Sequence, residues 1–472
     1  MGDLWRDAER IADAGERAYE QSGSAWEAIA AGLWEGARIV GEELGDGGHE
    51  GSTARPARPE RRGEGSIESP GDISSTSEVV ISRTFMMDQA RLNFENPEDL
   101  RRWQDDIGEF EARARRDRLS PLEVASTYHE LGALLAPREG AVIDQDRREQ
   151  LAREVLHQAA FPYGIDQGRH NTCAVSALES RLYARNPQAA AATIRELATS
   201  STGEFTTTDG RRLRVEPASL APDAEAARQP RPDGERTYAS QVLQLAMVNA
   251  HWSEQSSHGV GASRTTGPFT YRQQHNVSDG DSGERLIDGS GRVVAAAPDI
   301  RAQDLPGIYR QFSTEQAPPF VIVHRSRLSP TADGQPREGI VVVDSEEDLR
   351  RAVSDLQDRH NMPPVVQVDP ERPPWSNSSG RLAAAGAGST GRAPLGEYAQ
   401  AAAATSDNPD NHLPIQPGPR LIPVDREHNS HVVNIVTMTT DPATRRVTTH
   451  VSNTWGDRSD IDVDLPTLYR SM

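Results

Sequence analysis

The chain has 472 residues and a formal net charge of −20. That length suffices for one large domain or for two to three domains. Apolar residues make up 35% of the sequence, a low share for a globular chain, so loops and linkers should occupy a substantial part of it. The acidic balance argues against nucleic acid or a membrane as partner, because both attract clustered positive charge.

The basic and sulfur-containing residues are unusual. All 51 basic residues are arginine, and lysine is absent. Two explanations stay open: a GC-rich, bacterial type of codon usage, and avoidance of surface amines. The single cysteine excludes an intramolecular disulfide and a cysteine-based zinc site.

The sequence contains neither a secretion-signal pattern at its start nor an apolar run of membrane-spanning length. We therefore expect a cytoplasmic location, although export by another route stays open. No histidine spacing indicates a metal site, and no glycine-rich run follows a strand and opens a helix, so no cofactor is expected.

The N-terminal third divides into three regions. Residues 1–44 have apolar side chains at helical spacing and predict one or two helices, a candidate arm for a protein partner. Residues 45–78 are rich in Gly, Ser, Pro and Arg and predict a disordered linker. Residues 79–160 predict a helical region, with a helix start signal at Asn96-Pro97.

Residues 161–472 predict one domain in which helices and strands mix. Stretches rich in Pro and Ala, at about 216–235 and 369–409, predict mobile loops inside it. Apolar runs at 340–344 and 365–368 flank a helical pattern and predict a β-α-β substructure.

The lone cysteine, Cys173, directly precedes a run with helical periodicity, for which Asn171 or Thr172 can be the N-cap. A thiol attacks a carbonyl as its thiolate. The unpaired N–H groups of a first helical turn stabilise that anion, and a nearby imidazolium stabilises it further. Cys173 is therefore a candidate nucleophile that needs a histidine from elsewhere in the chain.

His431 is the candidate partner because it opens an apolar, strand-like run. A second run ends just before Asn453, and a turn at 441–444 predicts that the two runs pair as an antiparallel hairpin. The Asn453 amide oxygen can then accept from the ring N–H of His431 and fix its tautomer. Trp455 can cover this hydrogen bond and exclude water.

Gln167 adds a candidate oxyanion donor. Its side-chain amide and the backbone N–H of Cys173 can both donate to the oxygen that becomes negative during attack on a carbonyl. Two alternatives remain open: His428, in a predicted loop, is a rival base, and Asp457 is a rival for the residue that orients the histidine.

In their order and spacing these residues resemble the papain-like cysteine peptidases. Thr454 replaces the family's Ser in Asn-Ser-Trp-Gly. The matching residues are Gln167, Gly168 and Cys173 for the family's Gln-Gly-x-x-x-x-Cys segment, His431 for its strand-opening histidine, and Asn453, Trp455 and Gly456 for its Asn-x-Trp-Gly.

The chain departs from the family pattern in three ways, one of which is a slightly longer hairpin between His431 and Asn453. His170 stands where the family's signature has its first Cys, and Ala174 stands where it has an aromatic residue. The separation of Cys173 and His431 is 258 residues, against ~130–150 between the family's Cys and its downstream His and Asn. The sequence is thus similar to a divergent bacterial branch with insertions.

The resemblance implies an α+β, papain-like fold with a helical subdomain carrying the Cys and an antiparallel β subdomain carrying the His and Asn. It implies a cysteine peptidase acting on protein or peptide substrates. The implied roles are Cys173 as nucleophile, His431 as general base and then acid, Asn453 as orienting residue, Gln167 as oxyanion donor, and Trp455 and Gly168 as supporting residues.

Two other functions are compatible with the same residues. One is acyl transfer on the same fold, by a transglutaminase, a deamidase or a hydrolase of ubiquitin-like conjugates. The other is a non-enzymatic interaction protein on a papain-like scaffold.

Overall fold

The computed structural model describes residues 73–168, 170–228, 230–257, 268–273, 283–296, 298, 300–328, 336–376, 431–455 and 460–472. The chain divides into two units, Met1–Ile81 and Ser82–Met472. The predicted helices at 1–44 and most of the predicted linker at 45–78 lie outside the described residues. The end of that linker is described and is structured: Ile73–Ser75 form a 3-10 turn and the first helix begins at Ser77.

The described residues are mixed α and β, as the composition of the predicted segments indicated. Their ten α-helices are α1 (Ser77–Asn93), α2 (Pro97–Asp117), α3 (Pro121–Leu135), α4 (Gln145–Ala160), α5 (Cys173–Arg185), α6 (Pro187–Thr199), α7 (Tyr238–Ser257), α8 (Leu305–Phe312), α9 (Glu346–Asp358) and α10 (Leu465–Ser471). Their strands are β1 (Glu204–Thr206), β2 (Arg212–Arg214), β3 (Thr270–Arg272), β4 (Arg285–Ile287), β5 (Val293–Ala296), β6 (Val321–His324), β7 (Ile340–Val343), β8 (Val365–Val368), β9 (His431–Thr440), β10 (Val447–Ser452) and β11 (Ile461–Asp464).

The region predicted as helical, 79–160, contains α1 to α4. The Asn96 side chain accepts from the Glu98 N–H at 3.0 Å and starts α2, with Pro97 in the first turn. Ser120 and Glu123 form a reciprocal capping box at the start of α3. Each cap satisfies N–H groups that have no partner inside the helix, which is why these sequence signals work.

The largest sheet has six strands in the order β11-β10-β9-β8-β6-β7. From β8 to β11, each strand pairs antiparallel with the one that follows it in the chain. Strand β6 instead pairs parallel with both β7 and β8. The β-α-β prediction is confirmed, with β6 lying between β7 and β8. The antiparallel β subdomain predicted to carry His431 and Asn453 is one part of a mixed sheet, because the helical crossover from β7 to β8 returns the chain in the same direction.

Side chains alternate between the two faces of this sheet. On β9, Val433 and Ile435 face an apolar core to which α9 and α10 contribute. Asn434 faces the other side, where its Nδ2 donates to the Ala177 carbonyl of α5 at 3.2 Å. The sheet therefore holds the helix that begins at Cys173 against the strand that begins at His431.

The segment 216–235, predicted as a mobile loop, is packed in part, with its buried residues concentrated between 219 and 226. It contains a 3-10 turn at Pro217–Leu220, and Leu220 and Ala226 are fully buried. The Asp223 N–H donates to the Gln241 side chain of α7 at 3.0 Å. Polar residues made this segment look like a linker, but its buried members, such as Asp223, bond to other parts of the protein, whereas Arg228 and Asp233 are exposed.

The second predicted loop, 369–409, is described only up to residue 376. In that part the Trp375 side chain is fully buried and its Nε1 donates to Ser471 Oγ of α10 at 3.0 Å. Trp375 is therefore part of the core, whereas residues 371–373 are exposed, and the remainder of the predicted loop lies outside the described residues. None of the described helices is both long and apolar enough to cross a membrane.

Candidate active site

Cys173 is the first residue of α5 and is half-buried. Thr172 occupies the N-cap position, one of the two that the sequence predicted, but its side chain makes no capping hydrogen bond. Its hydroxyl donates instead to Gln244 Oε1 at 2.9 Å. The thiol thus lies at a helix N-terminus that the Thr172 side chain does not cap, where the helix dipole favours negative charge.

The predicted pairing of His431 and Asn453 is confirmed. Strands β9 and β10 form an antiparallel hairpin, and His431 Nε2 lies 2.8 Å from Asn453 Oδ1. Both residues are buried. Because an amide oxygen only accepts, the proton resides on Nε2, and the lone pair on Nδ1 is left to act as a base.

Trp455 covers this hydrogen bond. Its ring stacks on the imidazole of His431, with centroids 4.0 Å apart and planes 24° from parallel. Burial lowers the pKa of His431 to about 4, and the hydrogen bond with Asn453 opposes this only in part. Burial therefore favours a neutral imidazole, ready to accept a proton, over the resting imidazolium that the sequence analysis considered.

Gln167 is held by Thr454. The Gln167 backbone N–H donates to the Thr454 carbonyl at 2.9 Å, and the Thr454 hydroxyl donates to Gln167 Oε1 at 3.1 Å. Gln167 Nε2 donates one proton to the His170 carbonyl at 3.1 Å. The amide is thereby fixed in orientation, and the second N–H of Nε2 can be offered to an oxyanion.

Gly168 is required by its conformation and by its neighbours. Its φ of +66° lies in the left-handed region, and a Cβ there would meet Glu225 Oε2 at 2.0 Å. Any side chain would therefore strain the left-handed backbone and push the buried Glu225 carboxylate away.

The structure brings most of the predicted residues together. Gln167 contacts Thr454, whose neighbours Asn453 and Trp455 both contact His431. Helix α5, which Cys173 begins, packs against β9, which His431 begins. The rivals His428 and Asp457, and the motif residue Gly456, lie outside the described residues.

The structure adds residues that the sequence analysis missed. The Asn453 N–H donates to Asp460 Oδ1 at 2.7 Å, which helps to fix the orienting residue. His170 Nε2 lies 3.0 Å from Asp223 Oδ2, and the Asn171 N–H donates to Glu284 Oε1 at 3.1 Å. These carboxylates come from irregular segments with no periodicity, so no sequence signal indicated them.

The structure thus provides three groups that thiol chemistry uses: a cysteine at a helix N-terminus, a buried imidazole with a fixed tautomer on the strand packed against that helix, and an oriented amide. Comparison with known proteins finds no family model, no curated protein and no solved structure that matches this chain.

Proposed function

We propose that this chain is a thiol-dependent hydrolase with a papain-like fold that cleaves peptide or isopeptide bonds. Cys173 is the nucleophile, His431 the general base and then acid, Asn453 the orienting residue and Gln167 an oxyanion donor. The observation that carries the proposal is the 2.8 Å hydrogen bond from His431 to Asn453, covered by Trp455, on a strand packed against the helix of Cys173.

Acylation follows from this arrangement. His431 Nδ1 takes the thiol proton as the sulfur of Cys173 attacks the substrate carbonyl carbon. The carbonyl oxygen becomes an oxyanion and accepts from Gln167 Nε2 and from the Cys173 backbone N–H. Collapse of this intermediate breaks the C–N bond, and His431 returns its proton to the leaving amine.

Deacylation repeats the sequence with water. His431 takes a proton from a water molecule as that water attacks the thioester carbon; the second intermediate then collapses with cleavage of the C–S bond and releases a carboxylic acid, and the Cys173 sulfur takes the proton back from His431. The Asn453 bond keeps Nδ1 directed at the reacting atoms in both steps. The neutral Asn453, unlike an aspartate, adds no charge that would oppose the low pKa of His431.

The absence of lysine favours a second candidate, acyl transfer to an amine. An enzyme that passes a glutamine acyl group to amines would modify its own surface lysines, and this chain has none. The same chemistry up to the thioester serves both reactions, so the acceptor, water or amine, decides between them.

The test is incubation of wild type and Cys173→Ala with casein and a fluorescent primary amine. We expect new peptide termini that require Cys173. Cys173-dependent incorporation of the amine into intact casein would replace hydrolysis by acyl transfer. Absence of both products would leave an interaction protein on this scaffold.

A matched pair of variants tests the base. His251 is buried like His431, and burial lowers its pKa too, but it lies outside the candidate site. His431→Ala should abolish turnover and slow alkylation of Cys173 by iodoacetamide, whereas His251→Ala should leave both rates per folded molecule unchanged. Equal losses in the two variants would show that His431 acts only through folding.

A further inference from the structure

Six buried side chains form a hydrogen-bonded path that leaves the chain at His170 and returns to it at Asn171. We call them the polar circuit: His170, Asp223, Arg236, Gln273, Tyr271 and Glu284. Every member is less than one-tenth exposed. Because the two ends of the path are the adjacent residues His170 and Asn171, just before Cys173, the circuit fixes the position of this short segment through contacts with other parts of the chain.

The first half of the circuit is charged. Asp223 Oδ2 accepts from His170 Nε2 at 3.0 Å and from Arg236 Nη2 at 2.5 Å. Asp223 Oδ1 accepts from the backbone N–H groups of Glu225 and Ala226, at 3.0 and 2.9 Å. Burial opposes ionisation of Asp223, but Arg236 and His170 outweigh it and hold its pKa well below the usual range.

The second half returns through β3. Arg236 Nη2 also donates to Gln273 Oε1 at 2.6 Å, and Gln273 Nε2 donates to the Tyr271 hydroxyl at 3.0 Å. That hydroxyl donates to Glu284 Oε1 at 2.6 Å. Glu284 then accepts from the Asn171 N–H at 3.1 Å, which closes the path.

The circuit bears on the oxyanion donors from two directions. The His170 carbonyl accepts from Gln167 Nε2, so the position of His170 sets the orientation of that amide. Asn171 is two residues before Cys173, so its anchoring to Glu284 limits where the Cys173 N–H can point. A displacement of about 1 Å at a reacting centre can cost 10²-fold in rate.

We propose that the polar circuit positions the oxyanion donors, Gln167 Nε2 and the Cys173 N–H, and that Tyr271 and Glu284 are positioning residues for the reaction. This inference rests on the proposed function, because it assigns the circuit a role in the same acyl-transfer chemistry. It predicts that breaking the circuit impairs formation of an oxyanion without impairing the thiol.

Two reagents separate those properties. Acylation of Cys173 by p-nitrophenyl acetate passes through an oxyanion, whereas alkylation by iodoacetamide displaces iodide and forms none. In Tyr271→Phe we expect acylation to slow by about 10-fold to 100-fold and alkylation to be unchanged. Added to Gln167→Ala, Tyr271→Phe should slow acylation further, because the Tyr271–Glu284 link reaches the Cys173 N–H through Asn171 and not through Gln167.

Tyr309→Phe is the matched control. The Tyr309 hydroxyl also donates to a carboxylate, Glu315, at 2.6 Å, and Tyr309 is as buried as Tyr271, but it lies outside the circuit. It should lose stability without losing acylation. If Tyr271→Phe does not fold, Glu284→Gln tests the same connection between Tyr271 and Asn171. Glutamine keeps the shape of the Glu284 side chain and one oxygen acceptor, and this variant should slow acylation several-fold relative to alkylation.

The outcomes distinguish this inference from the proposed function. If Gln167→Ala slows acylation but neither Tyr271→Phe nor Glu284→Gln does, the circuit has no positioning role. An equal loss in Tyr309→Phe would also overturn it. If wild-type Cys173 is acylated no faster than a free thiol and Gln167→Ala changes nothing, the proposed oxyanion site itself is wrong.

Discussion

The two faces of the six-stranded sheet are held by different forces. The face covered by α9 and α10 is apolar, and residues such as Val433, Ile435 and Trp375 are fully buried in it. The opposite face carries α5, on which Glu179 and Arg181 are fully buried. The apolar face gains stability from any side chain of about the right volume, whereas the α5 side depends on specific partners.

Arg181 illustrates this dependence. It is fully buried two turns after the candidate nucleophile, lies 4.1 Å over the Phe320 ring, and donates to the Asn361 and Pro363 carbonyls at 3.0 and 2.7 Å. Burial lowers its pKa to about 10, so it stays charged at neutral pH. A charge in such a place fixes geometry more than it adds stability.

The largest effect should follow removal of one member of a buried ion pair. Asp223→Ala leaves the fully buried Arg236 without its carboxylate and should cost about 3–5 kcal/mol of unfolding free energy in urea denaturation. Asp223→Leu combined with Arg236→Met should recover most of that loss, because no unpaired charge remains. If the double variant is as unstable as Asp223→Ala, the loss in Asp223→Ala does not come from leaving the Arg236 charge unpaired.

The second effect depends on pH. The pKa of His431 is about 4 in the folded protein, against 6.5 for the free side chain, so the unfolded chain binds more protons between these values. Stability is therefore fully present above pH 6.5 and is lost as the pH falls to 4, by about 3 kcal/mol in total. The activity of a neutral base should follow the folded value and fall near pH 4.

Urea denaturation at pH 7 and pH 4.5 measures this contribution. The comparison is made in a Cys173→Ala background, with and without His431→Asn, so that titrating carboxylates cancel. The acid-induced loss should be smaller in the His431→Asn protein. Identical losses would mean that burial does not depress the pKa of His431.

The smallest effect belongs to the apolar face. Ile435→Val removes one methylene from a fully buried side chain of β9 and should cost about 1 kcal/mol. Turnover per folded molecule should be unchanged, because neighbouring apolar groups relax without redirecting His431. A large loss of turnover at unchanged stability would show that the apolar face also sets the site geometry.

The features of the fold that depend on short stretches of sequence can be predicted from the sequence. Two apolar runs and the turn at Asp441 suffice to predict that β9 and β10 pair, and pairing alone brings His431 beside Asn453. Proline and serine at helix starts likewise predict α2 and α3. These features depend on neighbours in sequence, which is why they can be predicted.

Other features depend on contacts between distant, irregular segments. Asp223 and Glu284 come from stretches whose composition resembles linkers, and their partners are far away in sequence. The exchange of hydrogen bonds between Thr454 and Gln167 likewise joins residues 287 positions apart. Such pairings depend on how loops pack, and neither periodicity nor capping signals encode that.

The hydrogen bond from the Gln167 backbone N–H to the Thr454 carbonyl allows hydrogen exchange at one amide to report whether the candidate site is assembled. That amide proton is shielded from solvent only while the two distant segments touch. Its hydrogen-exchange rate therefore measures how often the Gln167 and Thr454 segments separate, even when the protein does not unfold globally. A molecule can keep its helices and sheet protected and still spend part of its time with this single amide open, and during that time only the His170 carbonyl holds the Gln167 side chain.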